Sequence, residues 1–238
     1  MDGRVALVTG ANKGIGFATA QALLKLGMIV YVGSRDVERG RIAVDTLSSD
    51  GTAHLALLDM ADENSMLATL AAIDAAHGRL DVLVNNAGIA LDGASAVDAV
   101  PDVIRRTLDT NVHAPARLIQ LAAPLLRKSS AGRVVNVSSG VGSLAFIADP
   151  HTPSMGKIYA YSLSKVALNG VTTLFADALR ADRIKVNSAS PGVVKTDLSH
   201  QMGRRLPTEG AEIIVRLATL DDDGPTGGFF DAAGPIAW

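Results

Sequence analysis

The sequence predicts a single α/β domain in which helices cover both faces of a parallel sheet. Apolar runs of strand length alternate with longer segments of helical spacing, as in sheets whose strands are buried on both faces. Of the 238 residues, 48% are hydrophobic and 19% are charged, which excludes an intrinsically disordered chain. No linker-like segment or internal repeat divides the chain, so we expect residues 1–238 to form one domain.

Seven strands are expected, each an apolar run bounded by polar or turn-forming residues. In chain order they span residues 5–9, 29–33, 53–58, 82–85, 134–137, 185–189 and 228–231. Six helices are expected between them from the spacing of apolar residues. They span residues 14–26, 39–47, 63–76, 103–127, 161–180 and 208–220. This alternation predicts a doubly wound parallel sheet of about seven strands.

Two polar stretches, residues 140–158 and 192–207, have neither a helical nor a strand pattern. Both begin where a predicted strand ends. In open parallel sheets the ligand crevice lies beyond the carboxyl ends of the strands. We therefore expect these stretches to form the walls of a substrate site.

Charge and composition exclude several classes of function. The formal net charge is -2, without a basic cluster, so neither nucleic acid nor an anionic membrane is an expected partner. No apolar run is long enough to span a bilayer, and no signal-peptide pattern is present at the amino end, which predicts a cytoplasmic protein. The chain has no cysteine, and its five histidines lack paired ligand spacing, so no metal site is predicted.

Glycines mark the turn after the first predicted strand. Gly10, Gly14 and Gly16 have the spacing GxxxGxG and lead directly into a helical segment. Glycine allows the backbone to approach a ligand closely, and the free amides at a helix start favour a pyrophosphate. The turn predicts a Rossmann-type dinucleotide site; the alternative is a glycine-rich connection that binds nothing.

Residues at the end of the second predicted strand favour NADP over NAD. An NAD-selective protein usually places an acid there to bind the ribose hydroxyls, but this chain has Ser34. Arg35 follows, and Lys13 lies in the glycine turn, so two cations are available for a ribose phosphate. Asp36, one residue further, is the observation that argues against this interpretation.

A tyrosine and a lysine begin the fifth predicted helix. Tyr161 and Lys165 are four residues apart, which places them on one helical face. A neighbouring ammonium lowers the pKa of a phenol, and a positively charged nicotinamide ring adds to the effect. We expect Tyr161 to act as an acid or base through this lowered pKa, although the spacing alone is common in pairs with a merely structural role.

The whole set of motifs, in this order, resembles the short-chain dehydrogenase/reductase family across nearly the entire chain. The matching positions are residues 9–16, Asp59, residues 85–88, Asn111, Ser139, Tyr161, Lys165 and residues 191–192. Residues 12–13, 34–36 and 224–230 are similar to the branch of NADPH-dependent carbonyl reductases.

This resemblance implies a catalytic tetrad. Tyr161 would exchange a proton with the substrate oxygen, and Ser139 would hydrogen-bond that oxygen. Lys165 would lower the phenol pKa and hold the nicotinamide ribose, while Asn111 would anchor a water of the proton relay. Choosing Ser139 over Ser138 rests on the family pattern.

The resemblance also implies a set of cofactor contacts. Asp59 would face the adenine, Asn86 the adenosine ribose, and residues 191–196 the carboxamide. The full expected set is Gly10, Asn12, Lys13, Gly14, Ile15, Gly16, Ser34, Arg35, Asp59, Met60, Asn86, Ala87, Gly88, Tyr161, Lys165, Pro191, Gly192, Val194 and Thr196.

One departure from the family pattern concerns the distance between Ser139 and Tyr161, which is 22 positions. The family usually has fewer residues there, so we expect an insertion within residues 148–158. Carbonyl reductases carry a longer insertion at this place, associated with a monomeric state. The sequence therefore leaves monomer, homodimer and homotetramer open.

The expected function is an NADPH-dependent carbonyl reductase that acts on a ketone, aldehyde or quinone by direct hydride transfer, with Tyr161 as proton donor. The substrate and its stereochemistry are not predicted. Two alternatives stay open: an NADP-binding sensor or scaffold without turnover, and an epimerase or dehydratase on the same fold.

Overall fold

The computed structural model describes residues 3–91, 93–152 and 158–238, and its centre is a seven-stranded parallel sheet of order β3-β2-β1-β4-β5-β6-β7. The strands are β1 Val5–Val8, β2 Ile29–Ser34, β3 Ala53–Leu57, β4 Val82–Asn85, β5 Arg133–Val137, β6 Lys185–Ala189 and β7 Phe229–Phe230. Each bound lies within one residue of its predicted position. The expected α/β class with a doubly wound sheet is confirmed.

Helices alternate with the strands along the described chain. They are α1 Gly14–Lys25, α2 Val37–Leu47, α3 Glu63–His77, α4 Pro101–Leu108, α5 Ala114–Arg127, α6 Leu144–Ala148, α7 Tyr159–Ala178 and α8 Pro207–Ala218. The ends of predicted helices shift by one or two residues, since terminal turns fray. Two larger differences, at α6 and between α4 and α5, have specific causes.

The first difference lies in the stretch 140–158, for which no regular structure was expected. A 3₁₀ turn, Gly140–Gly142, and the short helix α6 follow β5 there. The Ser143 hydroxyl accepts from the Phe146 amide at 3.0 Å and donates to the Ala237 carbonyl at 2.7 Å. The Ala145 amide donates to the Trp238 carbonyl at 2.8 Å. A five-residue helix held by residues almost a hundred positions away leaves no helical pattern in its own sequence.

The second difference interrupts the helix predicted over residues 103–127. A π-helical segment, Asp109–His113, joins α4 to α5. A π-helical turn contains an extra residue, and such turns are frequent at functional sites. This segment contains Asn111, one of the predicted site residues.

Two apolar layers hold the helices against the sheet. On one face, α3, α5 and α7 pack around side chains such as Leu83, Leu118 and Ile73. On the other face, α1, α2 and α8 pack around side chains such as Leu23 and Ile214. The central strands β1 and β4 are buried along their whole length, which explains their mainly apolar sequences, whereas the edge strand β3 has exposed residues at His54 and Leu57.

The amino edge of the sheet contains a buried arginine. Arg133, at the start of β5, is 1% exposed. Its guanidinium donates to the carbonyls of Leu220 at 2.8 and 3.0 Å and Gly132 at 3.0 Å, and to the carboxylate of Asp222 at 2.9 Å. These bonds join the sheet to the segment after α8.

Within the described residues, no helix has the length and apolar character needed to cross a membrane.

Candidate functional site

The crevice forms where the direction of the strand order changes. From β1 the chain continues outward through β2 and β3, and it then returns to place β4 on the other side of β1. Beyond β1 the chain continues into α1 on one face of the sheet, and beyond β4 it continues to α5 on the other face. Doubly wound sheets bind nucleotides at the carboxyl edge where the chain diverges in this way.

The glycine turn after β1 approaches its neighbours too closely for side chains. A Cβ on Gly16 would lie 2.4 Å from Asn86 Nδ2 and 2.5 Å from the Gly10 carbonyl oxygen. Lys13 is the N-cap of α1, and its side chain does not cap the helix. The first amides of α1 are thus available to an anion, because helix starts leave such amides without intrahelical partners.

Asn86 secures this turn from the β4 side. Its side-chain amide donates to the carbonyls of Thr9 at 2.9 Å and Gly10 at 3.1 Å. The Thr9 hydroxyl accepts from the amides of Asn86 and Ala87, both at 2.9 Å. Asn86 was expected beside the adenosine ribose, but the structure commits its amide nitrogen to shaping the turn.

The residues after β2 provide cations at the same edge. Ser34 is buried, and its hydroxyl donates to the Asp36 carbonyl at 2.8 Å, while Arg35 is exposed. The Asp36 carboxylate accepts from the Arg39 amide at 2.9 Å and thereby caps α2. Its other oxygen lies 4.0 Å from Arg39 Nε, so Asp36 has structural partners in α2 besides any ribose hydroxyl.

The loop after β6 lies against the glycine turn. A Cβ on Gly14 would be 3.5 Å from Thr196 Cγ2, and a Cβ on Gly210 would be 2.6 Å from Val194. Lys13 Nζ donates to the Asp197 carboxylate at 2.5 Å. Residues 196 and 197 of the stretch 192–207 therefore lie beside the glycine turn, and the role of this stretch as a wall of a substrate site stays a prediction.

Tyr161 and Ser139 meet at the carboxyl edge of β5. Tyr161 lies in the first turn of α7, and its phenol forms a side-chain hydrogen bond with Ser139. Ser138 is 2% exposed, and its hydroxyl points instead toward the Lys165 carbonyl at 3.5 Å. Of the two adjacent serines, the structure thus brings Ser139 to the tyrosine.

Lys165 lies one helical turn after Tyr161, on the same face. Its Nζ is 5.4 Å from the centre of the Tyr161 ring and donates to the Val137 carbonyl at 2.8 Å. A Cβ on Gly88 would be 3.7 Å from this nitrogen. Lys165 is 4% exposed, so its ammonium is nearly removed from solvent.

Asn111 links the turn after β4 to α7. Its Oδ1 accepts from the Ile89 amide at 2.9 Å, and its Nδ2 donates to the Ile89 carbonyl at 2.8 Å. The same nitrogen donates to the Ser164 hydroxyl at 3.0 Å, which in turn donates to the Tyr161 carbonyl at 2.7 Å. Asn111 thus connects two segments that carry predicted site residues.

The pKa values of the pair differ from the sequence-based expectation. Burial raises the pKa of Tyr161 to about 12, while the hydrogen bond with Ser139 opposes this rise. Burial also lowers the pKa of Lys165 to about 8. In the protein alone burial has the largest effect, and the phenol pKa lies above its ordinary value, not below it. The lowering expected from Lys165 together with a positively charged nicotinamide ring stays a prediction.

Other predicted cofactor residues lie at the carboxyl edge. Asp59 follows β3 and accepts from the Ala61 amide at 2.9 Å, and Met60 packs against the apolar layer. Pro191 and Gly192 follow β6. Gly192 has a φ of 78°, a conformation that favours glycine. Asn12 and Ile15 belong to the glycine turn and the start of α1.

Two residues at this edge are absent from the sequence-based predictions, Arg39 and Asp197. Arg39 lies in the first turn of α2 and lowers the pKa of Asp197 together with Lys13, which has the larger effect. A cation is unfavourable at a helix start because of the helix dipole. Arg39 Nε lies 4.0 Å from the carboxylate of the N-cap Asp36, which offsets this effect. We find no sequence signal that marks Arg39 or Asp197 as a site residue.

Within the described ranges, no group of three or more metal-ligating side chains is close enough to hold a metal ion. Part of the predicted insertion, residues 153–157, lies outside the described residues.

Comparisons with known proteins agree with this geometry. A family model described as short chain dehydrogenase matches residues 4–207. Carbonyl reductase (NADPH) 3 of Mus musculus is 36% identical, with 92% of each chain covered. Salutaridine reductase of Papaver somniferum is 29% identical, covering 97% of this chain and 94% of the relative.

Two solved structures show the same architecture. One is NADPH-bound carbonyl reductase from chicken fatty liver, with a TM-score of 0.87, 27% identity and full coverage of both chains, 100% each. The other is a metagenomic short-chain oxidoreductase in complex with NADP, with a TM-score of 0.78, 32% identity and 94% coverage of each chain.

Proposed function

Because the chain belongs to the short-chain dehydrogenase/reductase family of oxidoreductases, we propose that it is an NADPH-dependent carbonyl reductase. Its substrate would be the ketone, aldehyde or quinone carbonyl of a small molecule. The observation that carries this proposal is the hydrogen bond between Tyr161 and Ser139, with Lys165 one turn further along α7.

The residues present fit an NADP nucleotide. Glycine at position 16 lets the turn close against Asn86 and the Gly10 carbonyl, where a Cβ would clash. The start of α1 then offers uncapped amides to a pyrophosphate. Lys13, Arg35 and Arg39 supply cations for the extra phosphate of NADP. Relatives whose names or titles include NADPH or NADP support this choice of nucleotide.

When bound, NADPH supplies the hydride for the carbonyl carbon. The chain's residues handle the oxygen. Ser139 donates a hydrogen bond to the substrate oxygen, and Tyr161 donates the proton that converts it to a hydroxyl. With its pKa raised to about 12, the phenol is fully protonated at neutral pH and therefore present in the form that reduction requires. The Lys165 ammonium holds the nicotinamide ribose.

The direct test replaces Tyr161 by Phe and follows NADPH oxidation against a panel of ketones, aldehydes and quinones. Loss of the acid should lower kcat by about 100-fold to 10,000-fold, with the affinity for NADPH retained. Tyr159→Phe, two residues earlier in α7, is the matched control and should keep its activity. An undiminished rate in Tyr161→Phe would contradict the assignment of the proton donor.

The same panel separates the two other candidate functions. A sensor or scaffold would bind NADPH tightly and oxidise it with none of the carbonyl compounds. An epimerase or dehydratase would change its substrate without net consumption of nicotinamide. The enclosed Lys165 and the Tyr161–Ser139 contact favour an enzyme over a sensor or scaffold, because binding alone does not require these groups.

A further inference from the structure

Asp197 forms an ion pair with Lys13, one of the cations that we propose for the extra phosphate of NADP. Its carboxylate accepts from Lys13 Nζ at 2.5 Å and from Gln201 Nε2 at 2.9 Å. The side chains of Lys13 and Asp197 are 56% and 65% exposed, so both are accessible to a ligand from solution. The pair joins the glycine turn to the loop after β6.

Arg39 also interacts electrostatically with the Asp197 carboxylate. Lys13, and to a smaller extent Arg39, lower the pKa of Asp197 and so favour its anionic form. Lys13 lies in the turn after β1 and Arg39 on the helix after β2, while Asp197 comes from a third segment. An anionic side chain is thus located where two neighbouring strand ends present cations.

The extra phosphate of NADP needs the same cations. A phosphate monoester carries about two negative charges at neutral pH, against one for a carboxylate, and therefore attracts the ammonium of Lys13 more strongly. NADH has no such phosphate and makes no demand on Lys13. Any effect of Asp197 on this lysine should therefore distinguish the two nucleotides.

We infer that Asp197 is an internal counter-ion for the phosphate site: it holds Lys13 when no nucleotide is bound, and the 2′-phosphate of NADP displaces it. Asp197 then lowers the affinity for NADPH more than the affinity for NADH. Until nucleotide arrives, the ion pair also keeps the Thr196–Asp197 part of the loop against the glycine turn. The inference rests on the proposed function only through the choice of NADP.

The test compares the Kd of NADPH and of NADH for Asp197→Asn with those of the unchanged protein, by titration of nicotinamide fluorescence without a carbonyl compound. Asparagine has nearly the same shape and can still accept from Gln201. Because exposed ion pairs are weak, the Kd of NADPH should fall about twofold to fivefold. The Kd of NADH should change less than that of NADPH.

Two further variants isolate the cause. In a Lys13→Met background, Asp197→Asn should change the NADPH-to-NADH ratio of Kd values much less, since the ion pair is already absent and only the weaker interaction with Arg39 remains. Asp223→Asn removes one exposed carboxylate from the segment after α8, at the opposite edge of the sheet, and should reproduce none of the effect.

Weaker binding of both nucleotides to Asp197→Asn would overturn the inference, because it would show that the pair closes the loop over bound nucleotide. Unchanged affinities for both would overturn it as well. These binding measurements do not depend on turnover. A protein that binds NADPH but reduces no carbonyl would contradict the proposed function and leave the role of Asp197 standing.

Discussion

Among single residues, Tyr161 and Lys165 respond to burial in opposite ways. Burial raises the pKa of the phenol to about 12 and lowers the pKa of the ammonium to about 8. Loss of hydration disfavours the charged form of each group. The charged form is the phenolate for tyrosine and the ammonium for lysine, so the two pKa values move in opposite directions. Of the two, only Lys165 changes its charge close to neutral pH.

We therefore expect kcat/KM for carbonyl reduction to fall as the pH rises through about 8, because Lys165 would lose the charge that we propose holds the nicotinamide ribose. Initial rates between pH 6 and 10 would show this. Since the folded-state pKa of Lys165 lies below that of the unfolded chain, its contribution to the free energy of unfolding rises with pH from about 8 upward. Deprotonation of Lys165 therefore does not unfold the protein above a pH of about 8, and a loss of activity there has a cause other than unfolding driven by Lys165. A pH profile of kcat/KM that stays flat would contradict the role given to the Lys165 ammonium.

The residue pattern predicted which side chains meet at the site, but not their electrostatics. Helical spacing placed Tyr161 and Lys165 on one face, and the structure shows Nζ above the ring. The direction of the phenol pKa depends on how completely the fold removes it from water, and a spacing does not contain that information. In the same way, only the path of the loop after β6 brings Asp197 to Lys13.

At the scale of elements, the helical segment from α4 to α5 contains a π-helical turn that the spacing of apolar residues does not predict. Its apolar spacing predicts one helix over residues 103–127, and the helical path is indeed continuous. The π-helical turn within it holds Asn111 against Ile89, 22 positions earlier in the chain. Such a turn depends on a partner from another element, so the spacing of the helix alone does not reveal it.

Replacing Asn111 by Ala should lower the free energy of unfolding by about 2–4 kcal/mol, because both main-chain groups of Ile89 lose their partner. Urea denaturation measures this change. Asn64→Ala, at an exposed position in α3, is the comparison and should cost much less. Equal stability of the Asn111 variant and the unchanged protein would show that water replaces these hydrogen bonds.

At the scale of the whole molecule, periodicity predicted the sheet well because the central strands are buried, mainly apolar runs. The helices of both faces also followed from their own spacing. The attachment of the sheet's amino edge to the segment after α8 could not be predicted in this way, since it depends on a single polar residue of β5. Arg133 ends with its guanidinium on the Leu220 carbonyl, 87 positions later.

We expect Arg133→Met to lower the free energy of unfolding by about 2–4 kcal/mol, since the substitution leaves the carbonyls of Gly132 and Leu220 without their donor. Thermal or urea unfolding measures the loss. Asp222→Ala removes only the exposed partner of Arg133 and should have a smaller effect. If the two variants were equally stable, the ion pair rather than the carbonyl contacts would account for the role of Arg133.

The strand order also constrains how the chain assembles. β1 can pair with β2 soon after both are synthesised, but its other edge waits for β4, where Ala6 pairs with Val82 and Val8 with Val84. Parallel pairing over such a separation is slow, because the intervening chain must first be ordered. A nascent chain that stops before Val82 therefore presents an open edge on what becomes the centre of the sheet, and open edges recruit strands from other chains.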